Sequence, residues 1–123
     1  MRPFRAGVLA LPQELAALRR VVRAHVGGPC DDLQLCVSEL VGNVILHLGE
    51  GTPVTLAISR TTEGRTRVEL ADPDHRVWPV LRRAADGDEG GRGLVLLDAV
   101  AARWGVHPGP GGGKTVWAEL AHP

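Results

Sequence analysis

Residues 31–48 read DDLQLCVSELVGNVILHL, and this run decides the fold. At about 100° per residue, Leu33, Val37, Leu40, Val41, Val44, Ile45 and Leu48 fill one broad arc, so the spacing predicts an amphipathic helix with a wide apolar face. That face is wide enough to lie on a sheet. Asp31 or Asp32 can accept hydrogen bonds from the amides that open the helix. Beside the arc, Glu39, Asn43 and His47 are successive i, i+4 neighbours and form a narrow polar stripe. The stripe has two readings. One is the solvent face of an ordinary helix. The other is a site in which Asn43 offers its amide oxygen to a hard cation such as magnesium, while Glu39 accepts a proton from a nucleophile or a water. His47 fits helix-end packing at least as well as chemistry.

Outward from this helix, the flanks supply strands. Phe4 to Leu9 reads as a short strand feeding a helix that opens at Pro12, where Leu15, Leu18, Val22 and Val26 recur at helical spacing until Gly27, Gly28 and Pro29. Downstream, Pro53 to Arg60 and Arg65 to Ala71 alternate apolar and polar residues around Glu63 and Gly64, which predicts an antiparallel hairpin. From Asp72 to Gly90 periodicity is lost in favour of Asp, Gly and Pro, the pattern of a long functional loop with a helical turn near Leu81. A third helix opens at Gly91-Arg92-Gly93 and runs through Leu94, Leu97, Val100, Ala101 and Trp104 to a stop at Gly105. A short strand near Val106, a glycine run from Gly109 to Gly113 and a strand from Thr115 to Leu120 complete the order β-α-α-β-β-loop-α-β-β. One-faced helices with strands arriving as hairpins predict an α+β fold, a two-layer α/β sandwich rather than a doubly wound parallel sheet.

A chain of 123 residues makes one domain, 1–123, with one core. Its 14 basic residues balance 14 acidic ones, so no overall field gathers phosphate backbones or anionic lipid, and direct nucleic-acid binding is not expected. Arg19, Arg20 and Arg23 read as a solvated helix face. No run approaches the ~18 apolar residues of a membrane span and no leader-like apolar stretch opens the chain, so the expected compartment is the cytoplasm and no membrane partner is expected. Cys30 and Cys36 fit reduced structural thiols in that compartment. Trp78, Trp104 and Trp117 fit core or lid packing better than a base-stacking platform.

Two glycine motifs invite nucleotide readings and fail. Gly-Gly-Gly-Lys-Thr at 111–115 has Pro108 where a P-loop needs its first glycine, and the residues after Thr115 alternate like a strand. Gly91-Arg92-Gly93 has Leu96 in place of the third glycine of a dinucleotide fingerprint. Gly90, Gly91 and Gly93 nevertheless stand before a helix, where amides and the helix dipole favour an anion. The plainer reading is a tight loop that needs positive φ.

Taken in order, these segments resemble the GHKL, or Bergerat-type, ATPase superfamily, and most closely its small anti-sigma-factor serine/threonine kinases and their stand-alone relatives. Leu35-Cys36-Val37-Ser38-Glu39-Leu40-Val41-Gly42-Asn43 resembles that family's N box. Ala71-Asp72-Pro73-Asp74 stands where the family has its adenine box, Glu89-Gly90-Gly91-Arg92-Gly93-Leu94 matches its second glycine box, and Gly112-Gly113-Lys114-Thr115-Val116-Trp117 matches the last. The resemblance covers nearly the whole chain and implies a Bergerat-type sandwich, a mainly antiparallel sheet covered on one face by helices. It implies ATP and Mg2+ as cofactors, Asn43 as magnesium ligand, Glu39 as general base and Asp72 as acceptor for the adenine amino group. It further implies Thr115 near adenine and Gly91, Arg92, Gly93 and Leu94 near the phosphates. An Asp72 satisfied by turn amides is the plainer reading of that residue. The first glycine box departs from the family's Asp-x-Gly-x-Gly, with Pro73, Asp74, His75 and Arg76 after Asp72.

The activity implied is phosphorylation of an antagonist protein by a regulator that also binds a sigma factor, and the resemblance allows a homodimer. Two alternatives stand beside it: a non-catalytic, nucleotide-gated interaction module, and a degenerate pocket that binds protein only.

Overall fold

The computed structural model describes residues 1–73, 92–108 and 112–121, with 92–95 as backbone only. Its elements are β1 (Phe4–Ala10), α1 (Pro12–Val26), α2 (Asp31–Leu48), β2 (Thr52–Arg60), β3 (Thr66–Asp72), α3 (Arg92–Val100), β4 (Arg103–Pro108) and β5 (Lys114–Leu120). The strands form one sheet in the order β1-β2-β3-β5-β4, antiparallel at every pairing. This is the α+β architecture that the pattern predicts.

Local chemistry sets the helix ends. Pro12 opens α1, where its missing N–H costs nothing. Gly27 closes it in the left-handed region at φ 84°, and its amide donates to the Arg23 carbonyl at 2.9 Å. α2 keeps its expected bounds, but its entry differs from expectation. Cys30 stands at the cap with no side-chain hydrogen bond, and Asp31 and Asp32 lie inside the first turn. There they act on the positive end of the helix dipole rather than as caps.

Strand alternation divides the sheet into two faces. Val54, Leu56, Ile58, Val68, Leu70, Val116, Ala118 and Leu120 are buried on the helix-covered face against Leu18 and Val22 of α1, Leu33, Val37 and Val41 of α2, and Leu97 of α3. Each such aliphatic side chain contributes about 1.5–3 kcal/mol by leaving water, so α2, which reaches four of the five strands, is the principal clamp of the two layers. The other face presents Arg5, Thr55, Glu69, Ala71, Thr115, Trp117 and His107 in register across the strands. Gly105 lies opposite Trp117, and a Cβ there would come within 2.9 Å of the indole.

The third helix ends earlier than its periodicity predicts. α3 stops at Val100, while Trp104 and Gly105 belong to β4. The Ala101 amide still bonds to the Leu97 carbonyl, but that of Ala102 donates to Glu119 on β5 at 2.8 Å, so sheet pairing takes the chain out of the helix. Trp104 keeps a tie to α3 through its indole N–H, 2.8 Å from Asp98.

Cys30 and Cys36 are free and buried, and burial pushes the Cys36 thiol up to about 12, helped by Asp32 and Glu39. No helix among the described residues is long and apolar enough to cross a membrane.

Candidate functional site

The α2 stripe and the ends of β3 and β5 meet at one small cleft. Its walls are Leu40, Asn43, Val44, His47 and Leu48 from α2, Leu70 and Asp72 from β3, and Lys114 and Val116 from β5. Helical spacing carries Asn43 and His47 to the same wall, because α2 lies with its apolar arc on the sheet and the adjoining stripe falls along the margin. Asp72 reaches the cleft by strand alternation, being on the same face as Val68 and Leu70.

Asn43 is the most telling residue of the cleft. Its Oδ1 is buried and accepts no hydrogen bond among the described residues. An amide oxygen removed from water without a donor costs about 1–3 kcal/mol, so it calls for a partner. A hard cation supplies one: magnesium takes few protein ligands, most of them oxygen, and keeps waters and phosphates for the rest. The described residues hold no cluster of three or more His, Cys, Asp and Glu side chains, which is the donor set of a different class of metal centre. The buried Asn43 amide oxygen is of the donor type that magnesium takes.

Asp72 is buried and already engaged. The Lys114 ammonium donates to its Oδ1 at 3.1 Å and lies 2.9 Å from Oδ2, with side-chain exposures of 1% for Asp72 and 5% for Lys114. The two are direct partners in the β3–β5 register. They are brought together by Gly113, where a Cβ would collide with the Asp72 carbonyl oxygen and lie 3.0 Å from the Pro73 Cα. Sequence reasoning missed this pair. Its one readable signal is a lysine opening a strand on the parity of Val116, Ala118 and Leu120, a buried cation that needs a carboxylate.

Glu39 lies one turn before Asn43, half-buried, and is not among the cleft-lining residues. Burial raises its carboxyl above the usual range. The buried Ser38 hydroxyl beside it in sequence also has no partner among the described residues.

The structure does not bring the Thr115 side chain to this cleft. Alternation turns it to the opposite face of the sheet, where it is buried and lines a separate cavity of about 190 Å³ with Arg5, Thr55, Glu69 and His107. The resemblance implies Thr115 near the base; its side chain lies across the strand from this cleft, since Lys114 and Val116 take the cleft side. The strand after the glycine run also disposes of a P-loop, because Lys114 opens β5 and is spent on Asp72.

Of the phosphate-side residues, Arg92, Gly93 and Leu94 open α3 as backbone. Gly91, with Glu89, Gly90 and the loop from Asp74, including Trp78 and the turn expected near Leu81, lies outside the described residues.

Two comparisons with known proteins bear on the family of the chain. The family model of a histidine kinase-like ATPase domain matches residues 8–120. An uncharacterised protein of Streptomyces coelicolor is 51% identical over 71 residues, which is 57% of this chain and 68% of the relative.

Proposed function

The chain belongs to the histidine kinase-like ATPase domain family, and from that premise we propose that it is an ATP- and magnesium-binding regulatory protein that phosphorylates serine or threonine of an antagonist protein, as the anti-sigma-factor kinases do. The observation that carries this reading is the buried Asn43 amide oxygen, which has no partner among the described residues, in a cleft shared with Asp72. Asn43 would hold the magnesium ion and Asp72 would take the purine amino group. The backbone amides that open α3 would face phosphate oxygens, as helix starts do. When bound, magnesium-ATP supplies the phosphoryl group and the cation that neutralises charge on it.

Glu39 would receive the proton of the acceptor hydroxyl. Burial raises its pKa, which makes it a better base than an exposed glutamate. Its separation from the cleft wall, one helical turn from Asn43, suits a group that serves the incoming protein rather than the nucleotide. The partners in this reading are a sigma factor and its antagonist.

Incubation with labelled ATP and candidate antagonist proteins tests it. Wild-type protein should transfer label, Glu39→Ala should lose at least ~100-fold of the rate, in line with general-base contributions, and Asn43→Ala should lose magnesium-dependent nucleotide uptake. Transfer undiminished in Glu39→Ala removes the kinase reading. The tight cleft around the Asp72–Lys114 pair favours a second reading, a nucleotide-gated interaction module without turnover. Partner capture that needs ATP yet tolerates Glu39→Gln would select it.

A further inference from the structure

If the cleft takes a purine nucleotide, as proposed above and as this inference requires, Lys114 stands in the way. The free space bounded by Asn43, His47, Asp72, Lys114 and their apolar neighbours is about 10 Å³, room for roughly one water and far short of a purine. One of its walls, Lys114, is the sole lysine in the sequence; every other basic residue among the 14 Lys and Arg is arginine. A lysine ammonium is a compact point charge on a thin stem, whereas a guanidinium is a broad plane, so lysine suits the narrow space better than arginine. It sits against both oxygens of the carboxylate that would otherwise receive the purine amine.

We infer that Lys114 is a specificity-determining residue of the base subsite: its ammonium occupies the position of the purine amino group on Asp72, and nucleotide enters by displacing it. The chemistry gives the direction. An ammonium meets the Asp72 carboxylate with a full opposite charge as well as its hydrogen bonds, whereas a neutral purine amine brings a hydrogen bond without that ion pairing. The purine therefore loses the contest for Asp72 alone, and wins only through burial of its ring and contacts of its phosphates. Nucleotides that reach the phosphate side but carry no exocyclic amine have nothing to offer Asp72 in exchange. Lys114 thereby lowers affinity for all nucleotides and keeps the subsite closed to those without the amine.

Because Lys114 is the sole lysine, the wild-type chain reports on it directly. In apo protein its amine should resist acylation by acetic anhydride, read by mass spectrometry at residue 114, and saturating magnesium-ATP should raise that reactivity at least tenfold. In calorimetry, Lys114→Ala and Lys114→Gln should bind magnesium-ATP tighter than wild type, by tenfold or more for alanine and by less for glutamine, which keeps an N–H for Asp72. ATP-bound wild type whose Lys114 stays as protected as before overturns the inference, as does weaker binding in both variants, since Lys114 would then be a nucleotide contact. Should wild type, both Lys114 variants and Asn43→Ala all fail to take up ATP, the nucleotide reading itself falls and this inference with it. The acylation readout on wild type stands even if the alanine variant does not fold.

Discussion

The β3–β5 pair buries two carboxylates at opposite ends and on opposite faces, and the contrast between them separates scaffold from site. Glu119 sits on the uncovered face with 3% side-chain exposure, held by Arg67 and Arg103 at 2.7 Å each and by Arg65 at 3.6 Å. Arg67 in turn stacks on Trp117, 4.3 Å from the ring centroid, with Arg103 at 5.9 Å. Asp72 faces the helix layer and has its ion pair with the Lys114 ammonium. Glu119 is thus surrounded by cations whose outer parts remain wet, while Asp72 and Lys114 are both taken out of water. A carboxylate with three cations is fastened. One paired with a buried ammonium is, on the inference above, open to exchange.

The largest effect that can break this contrast is removal of Asp72. Asp72→Ala leaves the Lys114 ammonium buried without its carboxylate and should cost about 3–5 kcal/mol, read from the urea midpoint. The double variant Asp72→Leu, Lys114→Met should recover most of that loss, because apolar side chains of similar volume replace a buried ion pair at little cost. A double variant as unstable as the single one would make the pair a structural fixture.

Glu119→Ala should cost less, about 1–3 kcal/mol, since its arginine partners are 24–55% exposed and regain water. The two losses would have to be equal for the contrast to fail. The pH dependence sharpens it. Hydrogen bonds from Arg103, and after burial's opposing push those from Arg67, hold Glu119 below its ordinary value of 4.5. Its contribution is therefore present above that value and is lost as pH falls from it through the lowered folded pKa. Wild type should lose stability across that acid range more steeply than Glu119→Gln.

Glu39 is the counterexample, a carboxylate shifted by burial alone, and its effect is the smallest. Burial raises its pKa from 4.5, so folding is favoured with the proton on and stability declines as pH rises through the folded pKa. At neutral pH Glu39→Gln should be neutral to slightly more stable, within about 0.5 kcal/mol, while abolishing phosphoryl transfer if Glu39 is the base. A clear destabilisation would mark Glu39 as a scaffold residue like Glu119.

Much of this was legible before any coordinates. The α2 arc fixed a helix with the observed bounds, and the β2–β3 hairpin announced itself by alternation around Gly64. What escaped is non-local. The spacing of Leu94, Leu97, Val100 and Trp104 is helical through Trp104, and only the bond from Ala102 to Glu119 diverts the chain into β4. Likewise, Asp72 and Lys114 are 42 residues apart, and nothing short of the strand register shows them to be partners. The same register sent the Thr115 side chain away from the cleft. The α2 stripe was readable because i, i+4 geometry is local. Which of its members face the cleft, Asn43 and His47 but not Glu39, depends on how the helix lies on the sheet.

The crowding at Gly113 bears on how such sequences are sorted. A string of glycines before lysine and threonine usually signals backbone that wraps phosphate ahead of a helix. Here one of those glycines exists so that two strands can touch, and it is irreplaceable for a reason unrelated to any ligand. In a saturation library, position 113 should tolerate almost nothing even when selection is for solubility alone. A pattern search that scores the letters without asking whether a helix or a strand comes next would file this chain among the wrong nucleotide binders.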